Sequence, residues 1–176
     1  MPTSYRGGHL LFRMTPSEVA LKYIGQTEKP GNMGFTQREF EIKMEKVGFQ
    51  KKQAWCSYFA ELVFKEASPH KAAELDKLFS ASAVQTFHNF KAAGYAVFDK
   101  PFVDALVIWQ TQKNGHPQWT GHAGICVDVI DDTLFRSVEG NTNDKGGREG
   151  YIVALKKRQV KKVTNGLQVL GFIKIA

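Results

Sequence analysis

The sequence predicts an α+β fold in which N-terminal helices pack on an antiparallel β-sheet. Three observations carry this expectation. Amphipathic stretches with strong helix punctuation fill the first half of the chain. Short apolar, β-branched runs separated by Gly, Asn and Asp fill the second half. No internal repeat or low-complexity linker divides the two, so helices followed by strands describe one layered domain. The 176 residues are enough for a single core, and the expected division is an N-terminal extension over 1–14 and one domain over 15–176.

The first helix is written in "TPSEVALKYIG". Thr15 is the expected N-cap, Pro16 takes the first helical position, Glu18 closes a capping box and Gly25 stops the run. "TQREFEIKMEKVG" follows the same logic, with Thr36 and Glu39 as a second box and Gly48 as the stop. Phe40, Met44 and Val47 fall on one face. A third helix is expected from near Ala54, with Trp55, Phe59, Leu62, Val63 and Ala67 at helical spacing and Ser68-Pro69 as its end. Two further helical stretches are expected, Ala72 to Phe79 and Ala83 to Ala93, the latter stopped by Gly94. The strands are expected in "ALVIWQ", "HAGICVDVI", "TLFRSVE", "GYIVALKK" and "LQVLGFIKI".

Bulk properties exclude several classes. The 43% hydrophobic and 23% charged residues make an ordinary globular balance, with no apolar run long enough to span a membrane. The apolar core of the N-terminus is only Leu10 to Phe12, broken by Arg13, so no cleaved secretion signal is expected. The two cysteines, Cys56 and Cys126, form neither a disulfide framework nor a CxxC pair, and free thiols are expected. The formal net charge of +7 favours acidic partners, and part of it lies in "KKRQVKK", Lys156 to Lys162, which reads as a solvated strand and turn. Nucleic acid is disfavoured, because no recognised reading motif accompanies the charge.

The chemistry centres on "KKQAWCSYFAELVFKEA". A cysteine on the first turn of a helix feels the positive end of the macrodipole, which favours its thiolate. Lys51 and Lys52 add positive charge nearby. The competing reading is plain packing, since free cysteine is among the most buried residue types. A nucleophilic thiol needs a base. Of five histidines, His9 lies in the N-terminal extension, His70 at a helix boundary, His88 within a helix and His116 in the turn "KNGHPQW". His122 alone is expected to open a strand, facing the same side as Gly124, Cys126 and Asp128. The next strand ends in "SVEGNTN", where Glu139 and Asn141, two residues apart, are both able to orient an imidazole. Cysteine at a helix start, histidine on a strand, then Glu or Asn on the next strand is the chain order of papain-like hydrolases.

Together "QAWCSYFAELVF", "GHAGICVDVI" and "SVEGNTN" resemble the CHAP family of cysteine- and histidine-dependent amidohydrolase/peptidases, relatives of the NlpC-type cell-wall peptidases. The likeness runs from about Glu18 to the C-terminus and includes "IGQTEKPGN", "PFVDALVIW" and "VLGFIKI". It implies a papain-like fold with Cys56 as nucleophile, His122 as general base, Glu139 as its orienting partner, and Asn141 as an auxiliary or alternative third member. It implies an oxyanion hole from the Cys56 backbone N–H and a side-chain donor, Gln53 or Gln50. Trp55, Trp119 and Tyr58 are candidates for a substrate groove or for core and rim. The implied substrate is peptidoglycan, cut as an amidase or an endopeptidase by a phage endolysin or bacterial lytic effector. Such a protein is made in the cytosol and reaches the wall by holin-type release or machine-mediated delivery. Anionic wall polymers are further expected partners, and a monomer with no cofactor is expected. One departure is Asp104-Ala105, where the family usually has Gly-Asp. Another is the lack of an acidic D-x-D-x-D-G loop, so no structural calcium is expected. The alternative reading is a non-catalytic wall-binding module that keeps the fold.

Overall fold

A computed structural model describes residues 13–143 and 150–175. Most of the expected N-terminal extension, including His9, and the end of the polar hairpin beyond Asn143 lie outside the described residues. The chain is α+β. Among the described residues five α-helices run in order: α1 (Pro16–Lys22), α2 (Arg38–Lys46), α3 (Cys56–Ala67), α4 (Ala72–Leu78) and α5 (Ala83–Ala92). Six strands follow: β1 (Val97–Phe98), β2 (Leu106–Lys113), β3 (His116–Val129), β4 (Leu134–Thr142), β5 (Ile152–Gln159) and β6 (Gly166–Ile173). They form one sheet in the order β1-β6-β2-β3-β4-β5, and every neighbouring pair is antiparallel.

The capping signals act as written at α1, where Thr15 Oγ1 accepts from the Glu18 N–H and Glu18 returns the bond to the Thr15 N–H. Asp104 adds a third contact, its carboxylate accepting the Ser17 N–H at 2.7 Å. The second box does not form. Helix α2 starts one residue later with Gln37 as an N-cap that makes no side-chain bond. Thr36 instead pairs its hydroxyl with Thr27, holding the loop before α2 against the loop after α1. A tertiary partner has won over the local cap.

Strand alternation divides the core. Leu106, Ile108, Ala123, Ile125 and Val138 face the helices and pack with Phe35, Phe40, Phe59 and Val63. Val107, Trp109, Cys126, Phe135 and Phe172 face the other way and form a second cluster. Helix α3 is buried on nearly every side, as its near-continuous apolar sequence requires. It packs against α1 and against the central strands β3 and β4, and it carries Cys56 at its first residue.

The β2–β3 hairpin explains how far β3 extends. Asn114 and Gly115 both have positive φ, 52° and 77°, and Lys113 pairs with His116 across them. This is the two-residue turn that an Asn-Gly sequence favours. His116 therefore opens a strand of 14 residues and does not sit in a turn. His122 lies in the middle of that strand and does not open it. Pairing of β3 with β4 covers only Ile125 to Val129. The stretch before it has β2 on one side only, which accommodates Pro117 in the strand.

Candidate functional site

Helix α3 begins where Trp55 is pinned. The indole is fully buried, and its Nε1–H donates to Glu28 Oε2 at 2.5 Å. The Lys52 N–H donates to the Asn32 carbonyl at 2.8 Å. The loop between α1 and α2 thus holds the start of α3 and fixes the Cys56 position. Trp55 belongs to the core, not to a substrate groove.

His122 meets Cys56 from β3. Its Nε2–H donates to Glu139 Oε2 at 2.9 Å, which leaves the other ring nitrogen for the sulfur. Glu139 is fully buried and fully used. Its Oε1 accepts from Ser137 Oγ at 2.5 Å and Arg158 Nε at 2.8 Å, and its Oε2 accepts from Arg158 Nη2 at 2.5 Å as well as from His122. The guanidinium of Arg158 grips the carboxylate with two donors and lies over the Trp109 ring, 5.5 Å from its centroid. Trp109 is the cross-strand neighbour of His122, with ring centroids 5.7 Å apart. A relay therefore runs from Cys56 through His122 and Glu139 to Arg158, with an aromatic wall behind it.

The electrostatics follow from burial and partners. Burial pushes the Cys56 thiol up, but the His122 charge, its hydrogen bond and the backbone N–H groups of Ala123 and Ser57 together bring it below the ordinary thiol range. Burial pushes His122 down, and this is overcome by Cys56 and Glu139, which raise it well above the ordinary imidazole range. Burial raises Glu139, and Arg158 and His122 more than reverse it, holding the carboxyl at about 2. The arrangement favours a thiolate–imidazolium pair. Cys126 is the contrast, pushed by burial to about 12 within the cluster that holds Trp109 and Phe135.

A cleft of about 300 Å³ opens on Cys56 between the starts of α3 and α5 and β3. Small residues line it, among them Ala54, Ala81, Ser82 and Gly121, and Trp119 stands at its rim with 81% of its surface exposed.

Compared with family models, curated proteins and solved structures, the chain matches none. The reading of the site rests on its own residues.

The structure brings together Cys56, His122 and Glu139. It sets Trp119 on the cleft that Cys56 lines and leaves Asn141, Gln53, Gln50 and Trp55 off it. Asn141 stands within a register break between Glu139 and Thr142, in left-handed backbone at φ 52°, so the two-residue spacing no longer implies a shared face. Gln53 Oε1 accepts from the Tyr58 hydroxyl at 2.7 Å, Gln50 is exposed, and neither lines the cleft. Sequence reasoning missed Arg158, Ser137 and Trp109. The available signal was alternation on β4 and β5, which places Ser137, Glu139, Ala154, Lys156 and Arg158 at matching register positions. Arg158 sits inside the basic run read as solvated, yet it is the ion-pair partner of the most buried carboxylate of the site.

No helix among the described residues is long and apolar enough to cross a membrane. Among the same residues, no group of three or more His, Cys, Asp or Glu converges as a metal site.

Gly124 gives this geometry a direct test. A Cβ there would sit 2.8 Å from Glu139 Cγ, 3.2 Å from the Val138 carbonyl oxygen and 3.3 Å from the Trp109 ring. Gly124→Ala is expected to displace the Glu139 side chain and to cost about 1–3 kcal/mol by overpacking. A melt unchanged from the wild type would contradict the packing described.

Proposed function

We propose that the protein is a papain-like cysteine amidohydrolase or peptidase of the CHAP type, acting on an amide bond of peptidoglycan. The observation that carries this reading is the Cys56–His122–Glu139 relay, whose cysteine lines an open cleft. A merely packed cysteine has no use for a buried imidazole turned toward it and a saturated carboxylate behind that imidazole. The choice of peptidoglycan rests on the motif resemblance and is supported by the basic charge of the chain, which suits an anionic wall.

The steps follow from the partners. The Cys56 thiolate attacks the amide carbon, and the carbonyl oxygen takes the negative charge. The backbone N–H of Cys56, at the start of α3, has no carbonyl within the helix to serve and is the donor assigned to that oxyanion. The His122 imidazolium gives its proton to the leaving nitrogen, the C–N bond breaks and a thioester remains on Cys56. Water then gives a proton to His122 and attacks the thioester, releasing a carboxylic acid and restoring the thiolate–imidazolium pair. Glu139 and Arg158 hold the imidazole through both halves without touching substrate.

Trp119 is the rim residue placed to stack on substrate. Trp119→Ala is expected to leave thermal stability within about 0.5 kcal/mol, as for an exposed site, while raising KM several-fold with little change in kcat. Equal KM values would remove Trp119 from the groove.

The function is tested by mass spectrometry of purified peptidoglycan incubated with the wild type and with Cys56→Ala. Fragments from the wild type alone are expected. Free stem peptides identify an amidase, and shortened or uncrosslinked stems an endopeptidase. Intact walls of several chemotypes after incubation with the wild type would overturn the substrate assignment.

A further inference from the structure

Arg158 has a second edge. The guanidinium carries five N–H donors, of which Nε and one on Nη2 serve Glu139. The side chain remains 26% exposed. That exposure opens into a separate groove of about 360 Å³, away from the Cys56 cleft. Lys157 and Lys161 line this groove beside Arg158, and Trp109, Leu134 and Leu167 supply its apolar part. Asp131 interacts with Lys157, and its Oδ1 accepts from the Thr133 and Leu134 N–H groups and the Thr133 hydroxyl. Lys161 has no ion-pair partner among the described residues.

The groove therefore combines a fixed guanidinium with donors to spare, two further cations and a carbon-lined wall. A planar fork of donors matches the oxygens of a phosphate or carboxylate, and an excess of cations favours the more highly charged group. The apolar part calls for a carbon skeleton attached to that group, and the volume suits a small molecule or one repeat of a polymer.

We propose that the groove formed by Trp109, Leu134, Leu167, Lys157, Arg158 and Lys161 binds a phosphate ester carried on a short carbon skeleton. Two sources share this chemistry, a free phosphorylated metabolite and a poly(polyol phosphate) chain. The site stands on its own geometry. Its failure leaves the cysteine chemistry untouched, because Lys161 takes no part in the relay.

The test is a titration of the isotopically labelled full chain, at about 0.15 M salt so that diffuse attraction is screened. Glycerol 3-phosphate and a short poly(glycerol phosphate) are the probes, with glycerol as control. The Arg158 Nε–H and Trp109 indole N–H resonances are followed. Saturable shifts of both are expected, with a Kd of about 1 mM or tighter for the monomer. Lys161→Glu is expected to weaken binding about tenfold or more while Cys56 alkylation proceeds as in the wild type. Tighter binding per repeat by the polymer identifies a polymeric ligand, and equal binding a free metabolite. Absence of saturable shifts with both probes, equal shifts with glycerol, or unchanged affinity in Lys161→Glu overturns the proposal.

Discussion

Cys56→Ala is expected to abolish the proposed hydrolysis and to keep the fold. Removing the nucleophile of a relay that acts as a unit is expected to cost about six orders of magnitude in kcat. His122→Ala is expected to cost nearly as much, and the double variant no more than either alone. Stability tells a different story. Cys56 is a small side chain, and in Cys56→Ala the imidazole keeps its bond to Glu139, so the melt is expected to move by about 1 kcal/mol or less. Turnover measured beside thermal melts checks both halves. Residual turnover within tenfold of the wild type would show that another group performs the chemistry.

Glu139→Ala is expected to be the most damaging substitution for the fold among the site residues. It strips Arg158 of its bidentate partner, removes the acceptor for Ser137 Oγ and frees the His122 ring. Breaking one side of a buried ion pair costs about 3–5 kcal/mol. Glu139→Gln keeps the volume and separates charge from packing. It is expected to fold, with turnover lower by about two to four orders of magnitude. Its pH dependence has a definite sign. Glu139 is depressed from the ordinary 4.5 to about 2, so its stabilisation is present above 4.5 and is lost as pH falls through about 2. The raised imidazole runs the other way, its contribution present below the ordinary range and lost as pH rises through the raised value. Melts across the acid range should therefore show a loss between pH 4.5 and about 2 in the wild type that Glu139→Gln lacks.

The order of elements was legible because local signals agreed with tertiary ones. The capping box at Thr15 and the Ser68-Pro69 stop formed, and of the turn expected over "KNGHPQW" only Asn114-Gly115 turns while His116 onward is strand. Cys56 and His122 were legible from a helix start and a strand, two features that periodicity reports. What failed to show was whatever depended on a partner distant in sequence. Thr36 has the residue type of a cap but bonds Thr27 instead. Trp55 and Trp119 differ only in what surrounds them, one fully buried and one largely exposed. Glu139 and Asn141 share a parity that the irregular register between Glu139 and Thr142 breaks. Arg158 sits among five other charged or polar residues in its run, and its role is visible only once β5 is laid beside β4 and Glu139 is seen to be buried.

The proposed hydrolase depends on Cys56 being a thiolate paired with His122 near neutral pH. The most direct measurement is the rate of iodoacetamide modification at each cysteine against pH, read by peptide mass spectrometry. Cys126, raised by burial to about 12, is the internal reference. The expected result is fast, selective modification of Cys56 that persists well below the ordinary thiol range of about 8.5. That modification should collapse toward the ordinary thiol profile in Glu139→Gln. A Cys56 rate that climbs only through the ordinary thiol range, or matches that of Cys126, would contradict the ion pair and the hydrolase built on it.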